Sequence, residues 1–195
     1  GDGSTNAQEA GRHSHPTGLD AATRHFAEGA RSALFCTVFS IANPGDTEAA
    51  ILLRYVDRSG LVASSTARIA ARASREITVP AVGVSEFATT LESDVPVVAD
   101  RLMWWTAEAG YGSHGEHAVA SPTSPWRFAE GATHSGFDLF YLLQNPDDRD
   151  ADIEVRYLRP AGADPIVKRY RVPAQSRFNI WVDLEEEALA LTDVS

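Results

Sequence analysis

Arg24-His25-Phe26-Ala27-Glu28-Gly29-Ala30 returns 102 residues later as Trp126-Arg127-Phe128-Ala129-Glu130-Gly131-Ala132. The same offset carries Asn43-Pro44 onto Asn145-Pro146, Arg54-Tyr55 onto Arg156-Tyr157, Gly60 onto Gly162 and Ser74-Arg75 onto Ser176-Arg177. A fixed-period match of a chain with itself is read before any local pattern, because it sets the number of folding units. A period near 100 residues lets each copy bury its own core. The 195 residues therefore predict one full unit and most of a second.

Within each copy the pattern is that of strands. Phe35, Thr37, Phe39 and Ile41 alternate with smaller or polar residues, as do Phe137, Leu139, Tyr141 and Leu143 in the second copy. Period 2 with aromatic and branched residues marks a half-buried strand. Asn43-Pro44-Gly45-Asp46 and Asn145-Pro146-Asp147-Asp148 follow as turns, since Pro presets φ and Asn and Asp bond nearby backbone. Next, Ala151, Ile153, Val155 and Tyr157 alternate with Asp152, Glu154, Arg156 and Leu158, the signature of an antiparallel sheet with one wet face. Further strands are expected at 61–70, 75–79, 86–92 and 97–105, and at 166–172 and 177–182. Asp183 and Glu186 suggest a capped helical turn within an insertion at 183–190.

This predicts an all-β chain of two tandem immunoglobulin-like antiparallel sandwich units. Residues 1–12 read as a flexible lead-in, 13–112 as the first unit and 113–195 as the second. The second copy reaches Ser195 before counterparts of the 86–92 and 97–105 strands. That leaves a sheet edge open, and an open edge invites strand pairing, here a homodimer.

Composition narrows the function. A net charge of −10 with no clustered basic face argues against nucleic acid as a partner. One cysteine, Cys36, precludes an intrachain disulfide. No apolar run approaches a membrane span of roughly 20 residues, so no membrane insertion is expected. No phosphate-binding loop, nucleophile elbow or dinucleotide fingerprint is present.

Several of these stretches, together with Ser93-Asp94-Val95-Pro96-Val97-Val98-Ala99-Asp100-Arg101-Leu102-Met103-Trp104-Trp105, resemble a bacterial tandem-repeat family of uncharacterised role. Its repeats open on a Trp-Tyr-Phe-Ala-Glu-Gly-like signature and occur in exported or cell-surface proteins. The resemblance covers nearly all of residues 13–195 and implies an immunoglobulin-like β-sandwich, exported, with no established catalytic activity and so no catalytic residues to carry over. The first copy departs from the signature, with Arg24-His25 in place of the aromatic pair.

Candidate side chains were weighed on that background. Glu28, Arg54 and Arg75 recur as Glu130, Arg156 and Arg177 and read as structural ion pairs tying the opening segment to the sheet. His13, His15, His114 and His117 carry imidazoles without a zinc-site pattern, so no metal centre and no cofactor is expected. Asp147, Asp148 and Asp150 offer hard oxygen ligands at short spacing that could hold calcium, against the simpler reading of a solvated turn. Trp104, Trp105 and Trp126 could stack on sugar rings, and alternation sends one of Trp104 and Trp105 to the outer face. The reading that follows is a non-enzymatic, extracellular or cell-surface module, a spacer or adhesive domain meeting protein or glycan. The alternative is a carbohydrate-binding accessory module of an exported enzyme.

Overall fold

The computed structural model describes residues 22–107, 110–160 and 163–195. The expected lead-in, the start of the first unit, His13, His15 and Gly162 lie outside the described residues. The chain is all-β and antiparallel, as the alternation predicts, and it divides into two compact units between Ser121 and Pro122.

The first unit contains β1 (Ala22–Phe26), β2 (Phe35–Asn43), β3 (Ala49–Asp57), β4 (Gly60–Ile69), β5 (Ala73–Thr78), β6 (Ala88–Ser93), β7 (Val98–Ala107) and β8 (Gly110–His117). They form two four-stranded sheets, ordered β1-β6-β3-β4 and β5-β2-β7-β8. Alternation along β2 sends Phe39 and Ile41 inward to full burial and Ser40 outward. Ile51, Leu53 and Tyr55 of β3, Leu91 of β6 and Ala99 of β7 complete the core between the sheets.

Consecutive strands β6 and β7 enter opposite sheets, so residues 94–97 cross between layers and the two strands form an arch. Each is an inner strand: β6 lies between β1 and β3, and β7 between β2 and β8. The expected unit boundary at 112/113 falls inside β8, which pairs with β7 from Ala107↔Gly110 to Asp100↔His117. Gly110, Gly112 and Gly115 give β8 low intrinsic strand preference, and its ladder to β7 holds it extended.

The second unit contains β9 (Phe140–Asn145), β10 (Ala151–Tyr157), β11 (Ile166–Val172) and β12 (Ser176–Trp181), paired as β10-β11 and β12-β9. Its insertion forms two short 3₁₀ turns, Val182–Leu184 and Glu187–Leu189. Asp183 does not cap the first of these. Its carboxylate instead accepts the Leu139 N–H at 2.9 Å and ties the insertion to the start of β9.

Backbone bonds show where the two units correspond. Val79 N–H donates to Thr37 as Val182 N–H does to Leu139, and Phe87 N–H donates to Gly29 as Val194 N–H does to Gly131. The offset therefore grows along the unit: 102 through β10, 103 through β11 and β12, and 107 at Val194. Extra residues enter at loops, where added length costs little. The match of Ser74-Arg75 with Ser176-Arg177 is thus out of register by one, and the positional counterpart of Arg75 is Phe178.

Candidate functional site

The densest polar constellation of the first unit grows from β7. Ala99, Arg101, Met103 and Trp105 share its inward phase, so an arginine stands where the alternation calls for an apolar residue. Arg101 is 1 % exposed. Its Nη2 lies 3.0 Å from Glu28 Oε2 and 2.8 Å from Glu116 Oε2. Glu116 comes from β8, directly opposite Arg101, and Glu28 from the segment after β1. His114 Nε2 lies 3.3 Å from the same Glu28 oxygen. The Trp105 ring meets the His114 ring edge-on at 6.0 Å and that of Phe35 at 5.9 Å. Nε and Nη1 of Arg101 have no hydrogen-bond partner among the described residues.

This cluster ties three segments together around one buried guanidinium. Glu116 accepts a hydrogen bond from Arg101 Nη2, and Glu28 pairs with the same nitrogen. Glu28 thus pairs with Arg101, and not with Arg54 or Arg75.

Arg54 makes a second ion pair, with Glu92 of β6 at 3.0 Å. The Glu92 side chain is fully buried, and that burial raises its carboxyl above the ordinary range, with Arg54 opposing the rise. Arg75 is exposed and donates to the Arg68 carbonyl at 3.4 Å.

In the second unit Glu130 is exposed. Arg156 bonds its near neighbour Glu154 at 2.9 Å on the wet face of β10. Arg177 is buried, whereas Arg75 is not, in keeping with their different positions in the two units.

Asp150 is held below the usual carboxylate range by Arg171 at 2.9 Å and by the Ala174 N–H, also at 2.9 Å. The Asp147 backbone N–H closes the turn onto Asn145 Oδ1 at 3.1 Å. Asp148 lies 3.9 Å from its neighbour Arg149. No three His, Cys, Asp or Glu side chains among the described residues converge so as to hold a metal ion.

Trp104 and Trp105 take opposite faces of β7, and the inward Trp105 packs against Gly112, where a Cβ would sit 2.2 Å from its ring. Trp126 is exposed. A polar chain in the second unit was not legible beforehand. Tyr157 Oη and Tyr170 Oη are 2.8 Å apart, and Tyr170 donates to Glu185 at 2.7 Å. Burial pushes the Tyr157 hydroxyl up to about 12 and raises that of Tyr170 further. Lys168 braces the insertion by donating to the Glu185 carbonyl at 2.6 Å.

The residues missed by sequence reading are Arg101, Glu116 and Glu92. Only Arg101 carried a signal in the sequence, its phase, a charged residue in step with Ala99, Met103 and Trp105.

A family model described as a family of unknown function, DUF5719, matches residues 8–183. No curated protein matches the chain. Among solved structures, one titled "Crystal Structure of Thermotoga maritima 1070" is similar at 16% identity and a TM-score of 0.47, covering 51% of this chain and 94% of its own. No helix among the described residues is long and apolar enough to cross a membrane.

Proposed function

The chain belongs to the DUF5719 family, and on that premise we propose that it is a non-catalytic module of an exported bacterial surface protein. In this reading its units repeat one sandwich design, and the array supplies length and a surface for protein contact.

The supporting observation is what the matching polar side chains do. Asn43 and Asn145 each donate to three backbone carbonyls at the open end of a hairpin, β3–β4 in the first unit and β10–β11 in the second. Glu48 with Arg68 and Asp150 with Arg171 brace the same hairpin in each unit. Polar groups spent on backbone closure serve the fold, as a repeated architecture requires of every copy.

Antibodies against this chain, applied to intact cells that make the full-length protein, test the reading. Surface labelling is the expected result. Labelling that appears only after permeabilisation overturns it.

The carbohydrate-binding alternative draws on one feature. Phe140 and Trp181, 44% and 41% exposed, lie 5.3 Å apart on the face opposite Tyr141. A glycan array comparing the parent with Trp181→Ala tests it, and no glycan bound by the parent removes it.

A further inference from the structure

One polar constellation of the second unit is not repeated in the first. His134 stands between two partners: its Nε2 lies 2.8 Å from Asp193 Oδ1, and its Nδ1 lies 2.8 Å from Ser135 Oγ. At the offset of 102 the first unit has Ser32 in place of His134 and Ala33 in place of Ser135. There the Ser32 hydroxyl accepts the N–H groups of Leu34 and Phe35 and closes a turn. Asn43 recurs as Asn145 because each copy needs the same closure, whereas the sequence at His134 does not recur. The shared fold therefore does not account for it.

The two segments that carry the constellation are laced together. The Thr133 N–H donates to the Thr192 carbonyl at 3.0 Å, the Leu191 N–H to that of Thr133 at 3.2 Å and the Val194 N–H to that of Gly131 at 2.8 Å. The buried Thr133 hydroxyl donates to the Leu189 carbonyl at 2.7 Å and accepts the Thr192 N–H at 3.0 Å. Backbone on both sides of Asp193 is thus fixed against His134. Ser135 and Gly136 have φ of 58° and 84°, and the Phe137 N–H closes their turn onto the His134 carbonyl at 3.1 Å. Positive φ at both central residues is the mark of a type I′ turn, which favours Gly, Asn and Asp. A serine there occupies a conformation that side chains seldom adopt, and Ser135 is exposed.

The order of donors follows from the groups themselves. A carboxylate only accepts, so the neutral imidazole carries its proton on Nε2, facing Asp193. Nδ1 then offers a lone pair, and the Ser135 hydroxyl is the donor to it. Carboxylate, imidazole and hydroxyl stand in series, with a base aimed at a serine oxygen that solvent reaches. The roles are those of nucleophile activation by an oriented imidazole, with the two ring nitrogens exchanged.

We propose that Ser135 is a covalent modification site that accepts an acyl group from an activated carboxylic ester. Its Oγ attacks the acyl carbonyl carbon while His134 Nδ1 takes the hydroxyl proton, and Asp193 stabilises the imidazolium so formed. The tetrahedral adduct collapses with cleavage of the bond to the leaving oxygen, which departs as the alcohol with the proton from His134. Serine hydroxyl and ester thus become acyl-serine and alcohol. This goes beyond the module reading and does not depend on where the protein resides.

The test treats the full chain with p-nitrophenyl acetate at neutral pH and follows acetylation of each serine by peptide mass mapping. Ser59 and Ser121, both exposed, serve as internal controls. Ser135 is expected to acquire acetyl at least about tenfold faster than either. His134→Gln removes the base, and Asp193→Asn removes the carboxylate that fixes the ring proton on Nε2. Each is expected to slow Ser135 at least about tenfold while leaving the rates at Ser59 and Ser121 and the urea midpoint unchanged. The proposal is overturned if Ser135 reacts no faster than the controls, if the acetyl group resides on His134, if either variant labels Ser135 at the parental rate, or if the controls slow in step with it.

Discussion

Asn145 makes in the second unit the three hydrogen bonds that Asn43 makes in the first. Asn43 Nδ2 reaches the carbonyls of Thr47, Ile69 and Ala70 at 2.7, 3.1 and 3.2 Å. Asn145 Nδ2 reaches those of Arg149, Val172 and Pro173 at 2.7, 3.1 and 3.0 Å. Each Oδ1 also accepts an N–H two residues on, from Gly45 and Asp147. One buried amide thus closes a turn and pins the end of the following hairpin to it.

Replacing Asn43 with Ala strands buried carbonyls and is expected to cost about 1–3 kcal/mol. Asn145→Ala is expected to cost a similar amount in its own unit. Urea denaturation of the two variants measures both, and an unchanged midpoint for either one contradicts the staple.

Glu28 and Glu130 share a sequence context but not a role in this structure. Glu28→Gln removes a carboxylate from a buried guanidinium and is expected to destabilise by roughly 1–3 kcal/mol. Glu130→Gln alters an exposed side chain and is expected to stay within about 0.5 kcal/mol of the parent. Thermal unfolding of the two variants side by side checks the asymmetry.

The Glu92 carboxyl is raised above its ordinary 4.5, by burial first and against the pull of Arg54. The folded state therefore binds this proton more tightly than the unfolded state does. Its contribution is fully present below the ordinary value and is lost as pH rises through the raised one. Glu92→Gln abolishes that loss, so the variant is expected to gain on the parent as pH climbs from 4 to 7. Urea midpoints across that range provide the measurement; a gap between the two proteins that stays constant with pH refutes the assignment.

Trp105 covers Gly112 so closely that a methyl there would meet its ring at 2.2 Å. Gly112→Ala is expected to displace the indole, shift its fluorescence to the red and cost about 1–3 kcal/mol. In a Trp105→Ala background the same change is expected to cost much less, because the clash is gone. A double-mutant cycle reads the coupling directly.

Much of the fold was legible because its strands alternate cleanly. Phe39 and Ile41 announce β2, and Ile153 with Glu154 announces β10. β8 was not legible, since its glycines carry no pattern and its extension comes from β7. Arg101 as the partner of Glu28 was not legible, for reasons of register and phase. Arg75 recurs at an offset that the loops do not preserve, Arg54 recurs in register but reaches Glu92, and Arg101 hides in an apolar phase. Asn43 and Asn145 were read as turn formers, and their reach to the far end of the next hairpin depends on a contact that local pattern does not encode.

The crossing of β6 and β7 between layers also bears on how such a unit is made. A chain leaves the ribosome from its N-terminus, and the two strands that sit inside both sheets of the first unit are among the last of that unit to emerge. Until they do, β2 has only β5 to pair with and β3 only β4. Both sheets of the first unit therefore need the same late-emerging stretch of chain, so neither four-stranded sheet can be completed before its own inner strand in that stretch has been made.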